Sequence, residues 1–112
     1  MTQHQSGLTG ERLALDYLEH NGWVVLQERY RCRHGEIDLI ARDKTGLCFI
    51  EVKYRPEGRL GAGLASITPD KKRHLLFAVR DYLKTHPQPY RIGCLEITRA
   101  GVLFYEDILH EQ

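Results

Sequence analysis

The chain has 112 residues, of which 42% are hydrophobic and 28% charged, with 16 Lys and Arg against 15 Asp and Glu for a net charge of +1. That composition describes one globular domain over 1–112 and excludes a disordered chain. No apolar run approaches the ~20 residues that span a bilayer. The polar first nine residues lack the apolar stretch of a secretory signal. Three cysteines, Cys32, Cys48 and Cys94, with no Cys-x-x-Cys spacing, argue against a disulfide framework or a thiolate zinc site and for a reducing, cytoplasmic setting.

The spacing of Leu13, Ala14, Tyr17 and Leu18 predicts an amphipathic helix over 9–21, with Thr9 as its cap and Gly22 as its stop. A short β-rich run follows at 23–26. Residues 35–42 alternate, with Ile37, Leu39 and Ala41 expected on one face, and 46–54 alternate again. The Asp43-Lys44-Thr45-Gly46 stretch between them has turn composition, so the two strands are expected to form a hairpin. Residues 55–65, rich in glycine and charge, read as a loop. Thr68 as cap and Pro69 at the first position open a second helix, whose apolar stripe is Leu75, Leu76, Val79, Tyr82 and Leu83. Two further strands, 90–98 and 102–105, are joined by an Arg99-Ala100-Gly101 turn. The order α-β-β-β-α-β-β predicts a mixed sheet flanked by helices.

The central hairpin carries the chemistry. Side chains alternate along a strand, so Glu36 and Asp38 share a face on one strand, as do Glu51 and Lys53 on the next. If the register brings these faces together, three carboxylates and an ammonium meet. Like charges so gathered raise one another's pKa, and Mg²⁺ or Mn²⁺ is the simplest compensation. Such an ion polarises a phosphoryl oxygen and activates water, while Lys53 orients that water or offsets developing charge. Cross-strand ion pairs on a solvated face explain the same spacing.

The strings Gly35-Glu36-Ile37-Asp38-Leu39-Ile40-Ala41-Arg42-Asp43 and Phe49-Ile50-Glu51-Val52-Lys53, followed by Arg55, resemble the bacterial YraN family of small endonuclease-like proteins. The resemblance extends to Gly10-Glu11, Ala14, Tyr17 and Leu18, and to Thr68-Pro69-Asp70-Lys71. That family is similar to Holliday-junction resolvases and to the PD-(D/E)xK nucleases. The resemblance therefore implies an α/β, restriction-endonuclease-like αβββαβ core. It implies a metal held by Asp38, Glu51 and Glu11, with Lys53 as the motif lysine, Glu36 as a further ligand or support, and Lys71 facing substrate. Two positions depart from the pattern. Ile37 stands where the superfamily has proline, and Gly93 where the family has an acid.

Other signals are read from the residues themselves. Lys71, Lys72 and Arg73 place cations at a helix N-terminus, where the dipole disfavours them, which points to phosphate. Arg29, Arg31 and Arg33, in the segment feeding the second strand, suit either a nucleic-acid groove with Tyr30 or Tyr54 as a stacking face, or a charge-guarded strand edge. Residues 29–74 carry net +5 and the remainder −4, which fits a polyanionic partner as well as an unevenly charged surface. Gly61-Ala62-Gly63 lacks a following Gly-Lys-Ser/Thr, so no nucleotide cofactor is expected. The six histidines show no ligand spacing. Together these point to a cytoplasmic, Mg²⁺- or Mn²⁺-dependent endonuclease-like protein acting on DNA rather than RNA. The resemblance to resolvases admits branched or repair-intermediate DNA among its substrates and leaves their structure open, with Arg31, Arg33, Arg55, Lys71, Lys72 and Arg73 expected on the backbone. Analogy with resolvases suggests a homodimer. The alternative is a nucleic-acid-binding module of the same fold that does not cleave.

Overall fold

A computed structural model describes residues 3–63, 66–106 and 108. Its elements run α1 (Gln3–His20), β1 (Val24–Cys32), β2 (Gly35–Asp43), β3 (Gly46–Tyr54), α2 (Pro69–Thr85), β4 (Tyr90–Thr98) and β5 (Gly101–Glu106). The strands form one five-stranded sheet in sequence order. Only β3 and β4 are parallel. Parallel neighbours need a crossover, and α2 supplies it. The αβββαβ core is restriction-endonuclease-like. No helix among the described residues is long and apolar enough to cross a membrane.

Local chemistry explains the central elements. Asp43 Oδ1 accepts from the N–H groups of Thr45, at 2.8 Å, and Gly46, at 3.2 Å, which closes the β2–β3 turn. Gly46 itself has φ 127°, open to glycine. Thr68 caps α2 by accepting from the Lys71 N–H at 3.2 Å, and Pro69 starts the helix.

A helix covers each face of the sheet. Leu39, Ala41, Cys48, Ile50, Leu95 and Ile97 pack on Ala14 and Leu18 of α1. Ile37, Ile40, Phe49 and Ile92 pack on Leu75, Ala78, Val79 and Tyr82 of α2. Two covered faces account for the unbroken apolar run Leu47-Cys48-Phe49-Ile50 at the middle of the sheet. Cys48 and Cys94 are fully buried there, as small apolar side chains.

Three expectations are corrected. The first helix begins at Gln3, so Thr9 lies within it and caps nothing. β1 runs on to Cys32, so Arg29 and Arg31 belong to an edge strand paired with β2 rather than to a connecting segment. Ile37 does not share a face with Leu39 and Ala41, for it packs under α2 and they pack under α1. The alternation breaks at Asp38. Opposite that residue Arg29 takes a left-handed backbone, φ 51°, uncommon for a side chain with a Cβ. The expected loop at 55–65 is non-strand, non-helix backbone over its described part, with Leu64 and Ala65 outside the described residues.

At Gly35 the strand meets α2 so closely that a methyl group would run into the His74 carbonyl oxygen. Gly35→Ala should therefore lower stability by about 2–3 kcal/mol, measured by urea denaturation, through forced separation of β2 from α2.

Candidate active site

The site follows from the parting of two strands. β2 and β3 pair from Asp43–Gly46 to Leu39–Ile50, and beyond that point β3 continues to Tyr54 beside β4. The Val52 N–H, deprived of a β2 carbonyl, is taken by Asp38 Oδ2 at 2.8 Å. A buried N–H left unpaired is costly, so this bond fixes the Asp38 carboxylate in the breach.

Glu51 and Lys53 follow Phe49 by alternation onto the α2 face of β3. Asp38 and Glu51 lie close enough to bear on each other's ionisation. Burial raises the Asp38 pKa, opposed by the Val52 N–H and reinforced by the charges of Glu11 and Glu36. Burial also pushes Glu51 up to about 8, with the Asp38 charge adding to it and Lys53 and Lys71 pulling it back. Burial opposes the charge of both carboxyl groups, and each opposes the other's ionisation, so the pair holds its protons more firmly than free carboxyls do.

Lys71, in the first turn of α2, reaches the same place. Burial and the neighbouring Lys71 lower the pKa of Lys53, whereas Lys71 is raised by its interaction with Lys53 and by the charges of Glu51 and Asp38. Lys53 thus gives up its proton more readily than a free lysine does, beside Lys71, which holds its own more firmly.

The other anticipated residues lie around this centre. Glu11 of α1 is close enough for its charge to be felt by Asp38, but both its oxygens accept from Arg29 Nε, at 2.9 and 2.8 Å. Glu36 is exposed and pairs with Arg31 at 3.3 Å across β1 and β2, apart from the Asp38–Glu51 pair. Lys72 and Arg73 are exposed on α2, and Arg73 pairs with Asp70. Arg33 is exposed at the β1–β2 turn, and Arg55 just beyond β3, where its N–H donates to the Ile97 carbonyl at 2.9 Å. The tyrosines considered for stacking serve the interior instead. Tyr30 donates to Asp81 and meets Tyr82 edge-on, and Tyr54 lies against Gly10.

Glu96 escaped the sequence reading. It lies on β4 opposite Lys53, wholly buried, and accepts from the N–H groups of Gly61, at 2.7 Å, and Gly63, and from the Tyr105 hydroxyl at 3.0 Å. It ties the glycine-rich loop to the site's end of the sheet. A lone acid within the apolar run of β4, following a loop with two glycines, was the available signal.

Among the described residues no group of three or more His, Cys, Asp and Glu side chains forms a ready-made metal cage. Asp38 and Glu51 nevertheless fit a divalent cation of the Mg²⁺ kind, which takes one or two protein carboxylates and leaves its other positions to water and phosphate. Two half-buried carboxyl groups whose ionisation is opposed by burial and by each other are what such an ion relieves.

A family model described as Uncharacterised protein family UPF0102 matches residues 10–101. The chain is 46% identical over 101 residues to a UPF0102 protein of Nitrosococcus oceani, covering 87% of this chain and 82% of that one. It is 47% identical over 83 residues to one from Legionella pneumophila, 74% of this chain and 70% of the other. With one from Chlorobium phaeobacteroides it shares 42% over 86 residues, 77% and 68% of the two chains. The stretch matched by the family model holds Glu11, Asp38, Glu51, Lys53, Lys71 and Glu96.

Two outcomes are expected. Glu51 has its folded pKa raised from 4.5 to about 8, so the stability it contributes is complete below 4.5 and lost as pH rises through about 8. In chelator, Glu51→Gln should melt several degrees above the unmodified protein near pH 9 and show no such advantage near pH 4. Glu96→Gln weakens the charge-assisted bonds to Gly61 and Gly63. Tryptic cleavage after Arg59 should then quicken about ten-fold.

Proposed function

Because this chain belongs to the UPF0102 family, the YraN family that its central hairpin resembles, and sets a carboxyl pair against two lysines, we propose that it is a metal-dependent endonuclease hydrolysing DNA phosphodiester bonds. The observation that carries this reading is the Asp38–Glu51 pair in the breach between β2 and β3, with Lys53 and Lys71 on the same side.

A divalent cation held by Asp38 and Glu51 supplies polarisation of a phosphoryl oxygen and a lowered pKa for water. The chain's own groups do the rest. Lys71, kept charged, meets a non-bridging phosphate oxygen and offsets the charge that grows there as phosphorus is attacked. Lys53, with its lowered pKa, accepts a hydrogen bond from the attacking water and takes its proton. Water oxygen bonds to phosphorus, the bond from phosphorus to the sugar oxygen breaks, and that oxygen takes a proton from solvent. The Val52 N–H holds the Asp38 carboxylate in place throughout.

A binding module without cleavage is the second reading. The observation in its favour is Glu11, which is bonded to Arg29 and so leaves two acids at the centre instead of three.

Duplex, branched and single-stranded DNA, end-labelled and incubated with Mg²⁺ or Mn²⁺, should be cut in at least one form and spared in chelator. Asp38→Asn, which keeps an oxygen for the Val52 N–H, should lower the rate about 100-fold or more with DNA binding retained. Binding without cleavage of any form would favour the second reading, and equal cleavage by Asp38→Asn would remove Asp38 from the chemistry.

A further inference from the structure

An open pocket of about 680 Å³ lies where the β1–β2 turn meets α2, lined among others by Arg31, Arg33, His34, Arg73, His74 and Phe77. Phe77 stands off the buried stripe of α2 and is 46% exposed. Its ring meets the His34 imidazole at 5.8 Å, tilted by 51°. Gly35, which lies too close to the His74 carbonyl to carry a side chain, also lines the pocket.

Charge and shape together select an occupant. Three arginines face one carboxylate, Glu36, at the pocket wall. The Arg31–Glu36 and Arg73–Asp70 pairs are exposed on both sides, so solvent already weakens them and a phosphate can replace the carboxylate partner. A flat apolar ring beside guanidinium groups suits a nucleobase with its adjoining phosphates, because every base presents a π-face whatever the sequence. A base inside a duplex has both faces stacked on its neighbours and cannot offer one to Phe77.

The pocket and the candidate active site are built on the same two elements, β2 and α2. Glu36 lies at its wall and Asp38 two residues further along β2, about 7 Å away at the rise of a strand. Arg73 lines the pocket from α2, the helix whose first turn carries Lys71.

Resting on the phosphodiesterase reading, we propose that this pocket receives one unpaired base beside the scissile phosphate. The base stacks on Phe77 with His34 at its edge, and Arg33 and Arg73 hold the flanking phosphates. The substrate class is then DNA with at least one unpaired nucleotide at the cut.

The test uses Asp38→Asn protein, so that no strand is cut, and fluorescence anisotropy with a single-stranded oligonucleotide and a blunt duplex of equal length. Adding Phe77→Ala should weaken single-strand binding about ten-fold and change duplex binding by less than about two-fold. Phe77→Trp, which keeps a stacking face, should restore it. A 2-aminopurine in the single strand should be quenched with Phe or Trp at position 77 and not with Ala. Arg33→Ala should lower the salt dependence of single-strand binding by about one phosphate contact. Unchanged single-strand affinity in Phe77→Ala, or equal loss for both DNAs, overturns the proposal. If cleavage depends on Asp38 while Phe77→Ala binds normally, the pocket alone falls. If the Phe77 effects hold and no DNA is ever cut, the base site stands and the nuclease reading falls.

Discussion

Everything at the centre of this molecule depends on a single bond, from the Val52 N–H to Asp38. A sheet whose strands stay paired leaves no room for substrate between them, and a sheet whose strands part leaves backbone donors without partners. Asp38 resolves the conflict by standing in for the missing strand. The same step sets a carboxylate next to Glu51 and within the field of Lys71. Structure and chemistry thus draw on one side chain, which explains why an acid is tolerated where burial opposes its charge.

The centre is consequently a local weakness of the fold. Two carboxyl groups are pressed against ionisation, a lysine has its pKa lowered, and Arg29, the partner of Glu11, sits in a left-handed backbone. Each of these costs stability, and strain of this kind collects where function needs it. The surrounding scaffold compensates. Among the described residues nine core side chains fill the layer between α2 and the sheet and eight the layer between α1 and the sheet, and Glu96 fastens the glycine-rich loop at the far edge of the site.

The β2–β3 hairpin was legible in the sequence because its signals are local, in the period-two alternation and the Asp-x-x-Gly turn. The second helix was legible for the same reason, in Thr68-Pro69 and a 3.6-residue stripe. What escaped was set by tertiary contact. The polar start of α1 carries no apolar periodicity, and the arginine-rich end of β1 is held by backbone pairing at a sheet edge, where side-chain pattern is silent. The change of face between Ile37 and Leu39 comes from an irregularity at Arg29 and Asp38 with no glycine to announce it. Of the candidate site, Asp38, Glu51 and Lys53 could be chosen by alternation. That Glu36 would stand apart could not, since one break in the pleat reverses a face.

The charges explain why a cation and a basic surround belong together. A phosphate approaching an anionic carboxylate pair meets a repulsion of about 4 kcal/mol per unit charge at 4 Å near a protein surface. In the proposed reaction Lys71 would offset part of it, and the arginines of the neighbouring pocket would draw the adjoining phosphates in. The net charge of +5 over 29–74 thus envelops an acidic centre. A purely structural ion-pair cluster would have matched these acids with arginines in place. Glu11 and Glu36 are matched in that way, whereas Asp38 and Glu51 face each other. The pair that the fold leaves unneutralised is the pair that a metal and a phosphate would complete.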